Sequence, residues 1–337
     1  MNTKRHFSLF LKKKTYLVIV IAASLIGASL IISNIIILNN KSNIRGYPDF
    51  ITKTEDYFIT RIGNVPNIDP NNYRLNVWGQ INNSKEFTLT ELRGLNLIQR
   101  VLTTECIGNY INGPLVSTAI WKGFSIYDLI ESLGLKENAT GVKFTAADGY
   151  YTSQTLEQLK NNSTIGALYM NGKIIPPIQG FPLRVVNPGA FGAKQPAWVI
   201  DIEVIDKPMS DYWDDRGWDT SPPMDVDSKI FFPSNDVDVD VGVPLEIGGA
   251  AYGGRRISKI EYTIDGGKTW DQAVIIKDMD LDHVWVFWKI TIMFGSSGTF
   301  TLNTKATDIN GNAQPKSDSV YYNGINSWPS LIINVMS

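Results

Sequence analysis

Cysteine and histidine are scarce in this chain of 337 residues, and their scarcity limits the redox groups that it can hold. It has one cysteine, Cys106, and two histidines, His6 and His283. A single thiol cannot form an intrachain disulfide, and it cannot ligate an iron–sulfur cluster, which needs several thiolates. Because His6 precedes a long apolar segment, a haem held by two histidines of one domain is not available either. We therefore expect no haem and no iron–sulfur cluster.

An excess of charge of one sign is also lacking. The formal net charge is −2, from 31 Lys and Arg against 33 Asp and Glu. Proteins that bind nucleic acids depend on cations that neutralise phosphates, so we expect no nucleic-acid partner. The length is typical of two domains, each with its own core.

A single long apolar run is present near the N-terminus. It extends from Tyr16 to Leu38, which is enough for a helix to cross a bilayer, since that takes about 20 residues. Basic residues are concentrated before it, which favours a cytoplasmic N-terminus. We predict a basic cytoplasmic segment over residues 1–15 and a transmembrane signal-anchor over residues 16–38, so that a single-pass protein of the cell membrane carries its remaining domains outside the cytoplasm.

Two alternatives exist for this run, a cleaved signal peptide and a buried core helix. The preceding stretch from Thr3 to Leu9 resembles a twin-arginine export signal in which lysine replaces the first arginine. That export route carries folded proteins that already contain a cofactor.

The rest of the chain divides into two regions with different sequence patterns. Residues 39–70 are predicted as a linker and an extended segment that leads into the first domain. Over residues 71–206, strand-like patterns such as Arg74–Trp78 alternate with helical ones such as Ser125–Leu133, which Gly134 ends. This alternation predicts an α+β domain.

A connector over residues 207–224 precedes a region without helical patterns. Val237–Val241 alternates with period two, and Ile257–Ile264 runs into Asp265-Gly266-Gly267, a hairpin turn signal. Residues 225–337 are therefore predicted to form an immunoglobulin-like β-sandwich. Aspartates between residues 225 and 240 could bind calcium, but their period-two spacing favours a solvated strand face.

Cys106 lies directly before a turn at Gly108 and Asn109, which would present its sulfur from a loop. A thiolate is a soft ligand that suits a heavy, redox-active metal. The alternative is a buried, inert thiol, because free cysteine is among the most buried residue types.

A second candidate site follows a strand that carries Arg184. The strand runs into a glycine-rich loop that ends at Lys194. Arg184 can bind a phosphate through two hydrogen bonds, Lys194 can add a charge, and the backbone amides of Gly192 and Ala193 can add donors. The spacing does not match the nucleotide-binding loops. The alternative is a basic strand edge followed by an ordinary turn.

These motifs, taken together, resemble those of the sulfite oxidase family from about Tyr57 to Ser337. They occur in the same order in both predicted domains. The matching motifs are Cys106-x-Gly108-Asn109, Ala119-x-Trp121-x-Gly123, Met170-Asn171-Gly172, the Gly180–Lys194 loop, Asp265-Gly266-Gly267-Lys268-Thr269-Trp270 and Gln314-Pro315. The resemblance implies a sulfite oxidase-like molybdopterin-binding domain over residues 71–206 and, over residues 225–337, a sandwich of the type that mediates dimerisation in some molybdenum-cofactor oxidoreductases.

The resemblance also implies one molybdenum-molybdopterin per chain, with Cys106 as the protein ligand to the metal. It places the terminal phosphate near Arg184 and Lys194. The cofactor-binding residues that it implies are Tyr57, Phe58, Thr60, Thr145, Gln179, Arg184, Gly192, Ala193 and Lys194.

The chain departs from the family where sulfite is bound. Sulfite-oxidising relatives have cations where Tyr110, Ile120 and Ala197 stand here or close by, and a tyrosine where Trp218 stands. Losing cations weakens a site for a divalent oxyanion. We expect an altered substrate pocket in which Trp218 is a catalytic residue.

Arg61 and Arg216 are candidates for compensating positive charge, and we take Arg61 as the third catalytic residue beside Cys106 and Trp218. The alternative for either arginine is a surface ion pair.

The predicted activity is oxygen-atom transfer on a small sulfur- or nitrogen-containing substrate. Since the chain lacks ligands for a second redox group, a separate electron-transfer protein or a membrane redox component should exchange the electrons. One alternative is a repair enzyme that resembles methionine sulfoxide reductase. Another is a membrane-tethered binding module that has kept the fold without the cofactor.

Overall fold

The computed structural model describes residues 45–161, 163–234 and 236–337. Within these ranges, no helix is long and apolar enough to cross a membrane. The transmembrane segment predicted over residues 16–38 lies outside them. The described residues belong to one compact unit.

The first part of this unit contains two β-sheets and three short helices. The strands of its first sheet, in spatial order, are β2 (Lys85–Thr88), β1 (Arg74–Gly79), β10 (Val199–Ile205), β5 (Gly141–Ala146) and β6 (Tyr151–Thr155). Those of the second sheet are β3 (Leu97–Glu105), β4 (Val116–Ser125), β7 (Ile165–Met170) and β8 (Lys173–Ile174), with β9 (Arg184–Val186) also paired to β7. The helices are α1 (Leu89–Arg93), α2 (Ile126–Ser132) and α3 (Leu156–Asn161).

Local sequence signals explain several of these elements. Leu75 and Val77 alternate along β1 and are fully buried, as expected for side chains on one face of a strand. Helix α1 begins with a capping box, in which the Thr88 hydroxyl accepts from the Glu91 amide and the Glu91 carboxylate accepts from the Thr88 amide. The strand and helix predictions here are confirmed, but helices of five to seven residues make this region mostly β.

The second part of the unit is a two-sheet sandwich. One sheet contains β11 (Asp227–Phe232), β13 (Leu245–Tyr252), β17 (Val286–Ile292) and β16 (Val274–Lys277) in spatial order. The other contains β12 (Val237–Asp240), β19 (Ser330–Met336), β18 (Gly298–Asp308), β14 (Ile257–Thr263) and β15 (Asp271–Gln272). Both sheets bury apolar residues in one core around Trp288. From residue 225 on, the described chain has no α-helix, as the sequence predicted.

The two parts are joined by buried hydrogen bonds that reach β3. The Thr103 amide donates to the His283 carbonyl (2.8 Å), and the Thr103 hydroxyl accepts from the Trp285 amide (2.8 Å). The Trp285 indole donates to the Phe50 carbonyl (2.9 Å), so the segment before the first domain is bound to the sandwich as well. The end of β3, where Cys106 follows, is therefore held against the second domain.

A pair of buried carboxyl groups lies at this junction. The Tyr252 hydroxyl is 3.0 Å from Glu105 Oε1 and 3.3 Å from Asp227 Oδ2. The side-chain amide of Asn109 donates to Glu105 Oε1 (2.9 Å). Burial raises the pKa of Glu105 to about 7. Burial, reinforced by the charge of Glu105, raises the pKa of Asp227 well above its ordinary value.

These raised pKa values make the free energy of unfolding depend on pH. The folded protein keeps protons that the unfolded chain releases at lower pH, so the stabilisation is complete below the unfolded-state pKa of about 4 and is lost as pH rises through the folded-state values. We expect the free energy of unfolding to fall by on the order of 2 kcal/mol between about pH 5 and about pH 8. Asp227→Asn should flatten this dependence in urea unfolding, whereas Asp240→Asn, at an exposed strand position, should not. An unchanged slope in Asp227→Asn would contradict the assignment.

Candidate active site

Cys106 begins a tight turn at the end of β3. Its amide donates to the Leu115 carbonyl (2.9 Å), and its carbonyl accepts from the Asn109 amide (2.9 Å). The Asn109 side chain accepts from the Leu115 amide (3.0 Å), which closes the loop. The turn predicted at Gly108 and Asn109 is confirmed, and it presents the thiol from a fixed loop.

The surroundings of the thiol act on its pKa in both directions. Burial raises the pKa of Cys106, and the hydrogen bonds with the Gly108 amide and the Thr60 hydroxyl counteract part of that rise. A metal that binds the sulfur takes the place of the proton. The two hydrogen bonds would then stabilise the thiolate that the metal requires.

Cys106 faces a cavity of about 250 Å³. The walls come from segments that are far apart in the sequence. Seven of the predicted site residues line the cavity, six of them being Thr60, Arg61, Cys106, Arg184, Gly192 and Ala193. Trp218, the third predicted catalytic residue, lines it as well.

Arg184 begins β9 and is one of the residues that line this cavity. The side chain is partly buried, lies over the Trp121 ring (5.5 Å to the centroid) and donates to the Gln179 carbonyl (3.2 Å). Its Nε is shielded from solvent and has no hydrogen-bond partner, and burial lowers the pKa of the group. No carboxylate of the described residues pairs with it. A shielded cation without a counter-ion is costly, so the arrangement fits an anionic ligand.

Gln179, Tyr57 and Phe58 are not among the residues that line the cavity. The side-chain amide of Gln179 donates to the Tyr57 carbonyl (3.0 Å), and the buried side-chain oxygen of Gln179 has no partner. Tyr57 is buried and stacks on Phe58, with ring centroids 5.4 Å apart. These contacts support the segment that carries Thr60.

Lys194 and Thr145 are not among the residues that line the cavity. The Lys194 ammonium pairs with the buried Asp211 and donates to the Ser153 carbonyl (3.1 Å). Thr145 lies on β5, in register with Tyr151. Their roles in cofactor binding stay predictions.

An aromatic wall on one side of the cavity was missed by the sequence analysis, apart from Trp218. The Trp218 ring lies 6.1 Å from Trp213 and 5.3 Å from Tyr321, and both of these residues line the cavity. Tyr150 also lines it, with its hydroxyl donating to the Ala193 carbonyl (2.6 Å). The doublet of Tyr321 and Tyr322 in a polar loop is the only sequence signal, and it is weak.

The residues that depart from the sulfite-oxidising pattern occupy different surroundings. Ala197 lines the cavity, as Trp218 does. Ile120 is buried in β4 outside the lining, and Tyr110 is 62% exposed. Arg216 lies over the ring of Tyr212 (3.5 Å) and does not line the cavity.

The family models match both parts of the chain. The family described as "Oxidoreductase molybdopterin binding domain" matches residues 62–213, and "Mo-co oxidoreductase dimerisation domain" matches residues 219–333. The chain belongs to the sulfite oxidase-like molybdenum-cofactor oxidoreductases. It is a molybdopterin-dependent oxidoreductase, as the sequence predicted.

Curated relatives of this oxidoreductase carry two kinds of names. A sulfite oxidase of Arabidopsis thaliana is 25% identical over 351 residues, which cover 85% of this chain and 88% of the relative. A sulfite oxidase of Gallus gallus is 27% identical, with 81% of this chain and 70% of the relative covered. A nitrate reductase [NAD(P)H] of Hordeum vulgare is 25% identical over 85% of this chain, which spans only 39% of that longer relative.

A solved structure shares the fold of the oxidoreductase. The crystal structure of the sulfane dehydrogenase SoxCD from Paracoccus pantotrophus matches with a TM-score of 0.75 and 21% identity, covering 85% of this chain and 84% of that one. The predicted molybdopterin-binding and dimerisation-type fold is confirmed for the described residues.

Proposed function

We propose that this oxidoreductase catalyses oxygen-atom transfer on a small sulfur- or nitrogen-containing substrate, with Cys106 as the protein ligand to molybdenum. The observation that carries the proposal is that one cavity is lined by both Cys106 and Arg184, whose Nε is shielded from solvent and has no hydrogen-bond partner. A soft thiolate suits the metal, and an unpaired cation suits the anionic part of a pterin cofactor.

Different residues of the chain would bind different parts of the cofactor. When bound, the cofactor supplies two-electron redox chemistry that no side chain can perform. Cys106 would hold the metal, and Thr60 would orient the sulfur through the contact between their side chains. Arg184 would bind the anionic part, with the backbone amides of Gly192 and Ala193 as further donors. An anion at Lys194 would compete with Asp211 for the ammonium.

The substrate side of the cavity supports a ligand other than a dianion. Arg61 is the only cation among its lining residues besides Arg184, and Trp213, Trp218 and Tyr321 form an aromatic part of the wall. Aromatic faces bind apolar groups and repel a concentrated negative charge. This wall favours the alternative of a reductase for organic sulfoxides, similar to methionine sulfoxide reductase.

The proposal includes the location of the enzyme in the cell and its partners. We propose an enzyme anchored in the cell membrane by residues 16–38, with its active site outside the cytoplasm. Electrons would be exchanged with a separate protein or a membrane component, and the sandwich would mediate a homodimer.

A substrate screen on the molybdenum-loaded full chain tests the proposed activity. Sulfite oxidation would be measured with ferricyanide as the electron acceptor. Reduction of a sulfoxide or an N-oxide, which consumes two electrons and two protons and releases water, would be measured with reduced viologen as the donor. We expect turnover in at least one assay and its loss in Cys106→Ser. Protein without molybdenum from a cofactor-competent host would instead support the binding module.

A further inference from the structure

Tyr321 belongs to the sandwich but lies at the active-site cavity of the first domain. It begins a short 3₁₀ turn, Tyr321–Asn323, and lines the same cavity as Cys106. Its hydroxyl donates to the Gly108 carbonyl (3.3 Å), two residues beyond the thiol. A residue from the second domain thus completes the wall above the cysteine loop.

The backbone that follows Tyr321 is held by two contacts. The Tyr322 carbonyl accepts from the Asp219 amide (2.9 Å). Gly324 packs so closely on Phe191 that a Cβ there would lie 2.5 Å from the ring, and its φ of +97° also favours glycine. Phe191 belongs to the loop that carries Gly192 and Ala193. The position of Tyr321 is therefore coupled to the loop predicted to bind the cofactor.

The side chain of Tyr321 has more freedom than its backbone. It is 44% exposed, and its hydrogen bond to Gly108 is long. A long bond at an exposed site is readily exchanged for another acceptor. Two other hydroxyl groups line the cavity, but that of Tyr150 is committed to the Ala193 carbonyl and that of Thr60 contacts Cys106.

We propose that Tyr321 contacts the substrate: its hydroxyl turns from the Gly108 carbonyl to the oxygen of an organic S-oxide or N-oxide, and its ring, together with Trp218, covers the carbon substituent. Glycine at position 108 leaves room for this arrangement, since a Cβ there would lie 3.3 Å from the Trp218 ring and 3.6 Å from the Tyr321 hydroxyl. The inference deepens the proposed function and rests on it. It assigns to the sandwich a direct part in substrate selection.

Binding of two matched probes to the molybdenum-loaded full chain tests this role. Methyl phenyl sulfoxide has the oxygen that Tyr321 would bind, and methyl phenyl sulfide lacks it. By calorimetry, Tyr321→Phe should weaken sulfoxide binding roughly fivefold to tenfold, the effect of losing one neutral hydrogen bond, and leave sulfide binding unchanged. Tyr321→Leu, which also removes the ring, should weaken both probes.

Tyr322→Phe is the matched control, because it removes a hydroxyl from the neighbouring tyrosine, which does not line the cavity. It should bind both probes as the wild type does. In turnover with reduced viologen, Tyr321→Phe should raise KM more than it lowers kcat.

Three results would overturn the inference. In the first, Tyr321→Phe binds the sulfoxide as tightly as the wild type does. In the second, that variant loses sulfoxide and sulfide binding equally. In the third, the wild type does not bind the sulfoxide. The failure of the proposed function is a separate result, since it would appear as missing molybdenum or missing turnover in a protein whose probe binding can still be measured.

Discussion

Replacing Cys106 with serine is expected to lower turnover per bound molybdenum by more than about 100-fold, because losing a metal ligand should exceed the 10- to 100-fold effect of losing a residue that only supports one. Serine is close to cysteine in size, and the loop is held by backbone contacts and Asn109, so the fold should persist. Turnover, molybdenum content and the melting temperature would be measured on the same preparation.

The control for this substitution is Tyr110→Phe in the same loop. Tyr110 is 62% exposed and does not line the cavity, so its variant should keep full turnover. If Cys106→Ser also kept wild-type turnover per bound molybdenum, Cys106 could not be the ligand.

Replacing Arg184 with methionine is expected to have opposite effects on the empty protein and on the cofactor. Methionine removes a shielded cation without a counter-ion, so the cofactor-free protein should become more stable. A gain of about 1 kcal/mol would raise Tm by roughly 2–4 °C. Cofactor affinity should fall roughly 10- to 100-fold, because a hydrogen bond to a charged group contributes about 1.5–3 kcal/mol.

Two measurements check this pair of effects: Tm of the cofactor-free protein, and the molybdenum retained after dialysis. Arg100→Met on β3 is the control, since Arg100 is also partly buried but does not line the cavity. A variant that lost stability and kept its cofactor would refute the role given to Arg184.

The parts of the site whose backbone conformation is determined by residues nearby in the sequence were predictable. The turn after Cys106 follows from Gly108 and Asn109, and the strand that carries Arg184 follows from the strand-forming residues beside it, Val185 and Val186. In both cases, the residues that determine the local backbone lie within a few positions of the functional side chain. The sandwich strands were predicted for the same reason.

The parts of the site that are formed by contacts between residues far apart in the sequence were not predictable. Tyr321 lies 213 residues beyond Gly108, and no pattern around either residue indicates that they touch. Lys194 was predicted to supply positive charge near the terminal phosphate, but Asp211, which follows on a later segment, pairs with it. The junction of Glu105 with Asp227 joins the two domains through side chains alone.

The most direct test of the account is X-ray absorption at the molybdenum edge, with the wild type and Cys106→Ser compared in the same oxidation state. We expect one more sulfur neighbour of molybdenum in the wild type than in the variant. Equal numbers of sulfur neighbours in the two proteins would contradict the assignment of Cys106 as the ligand.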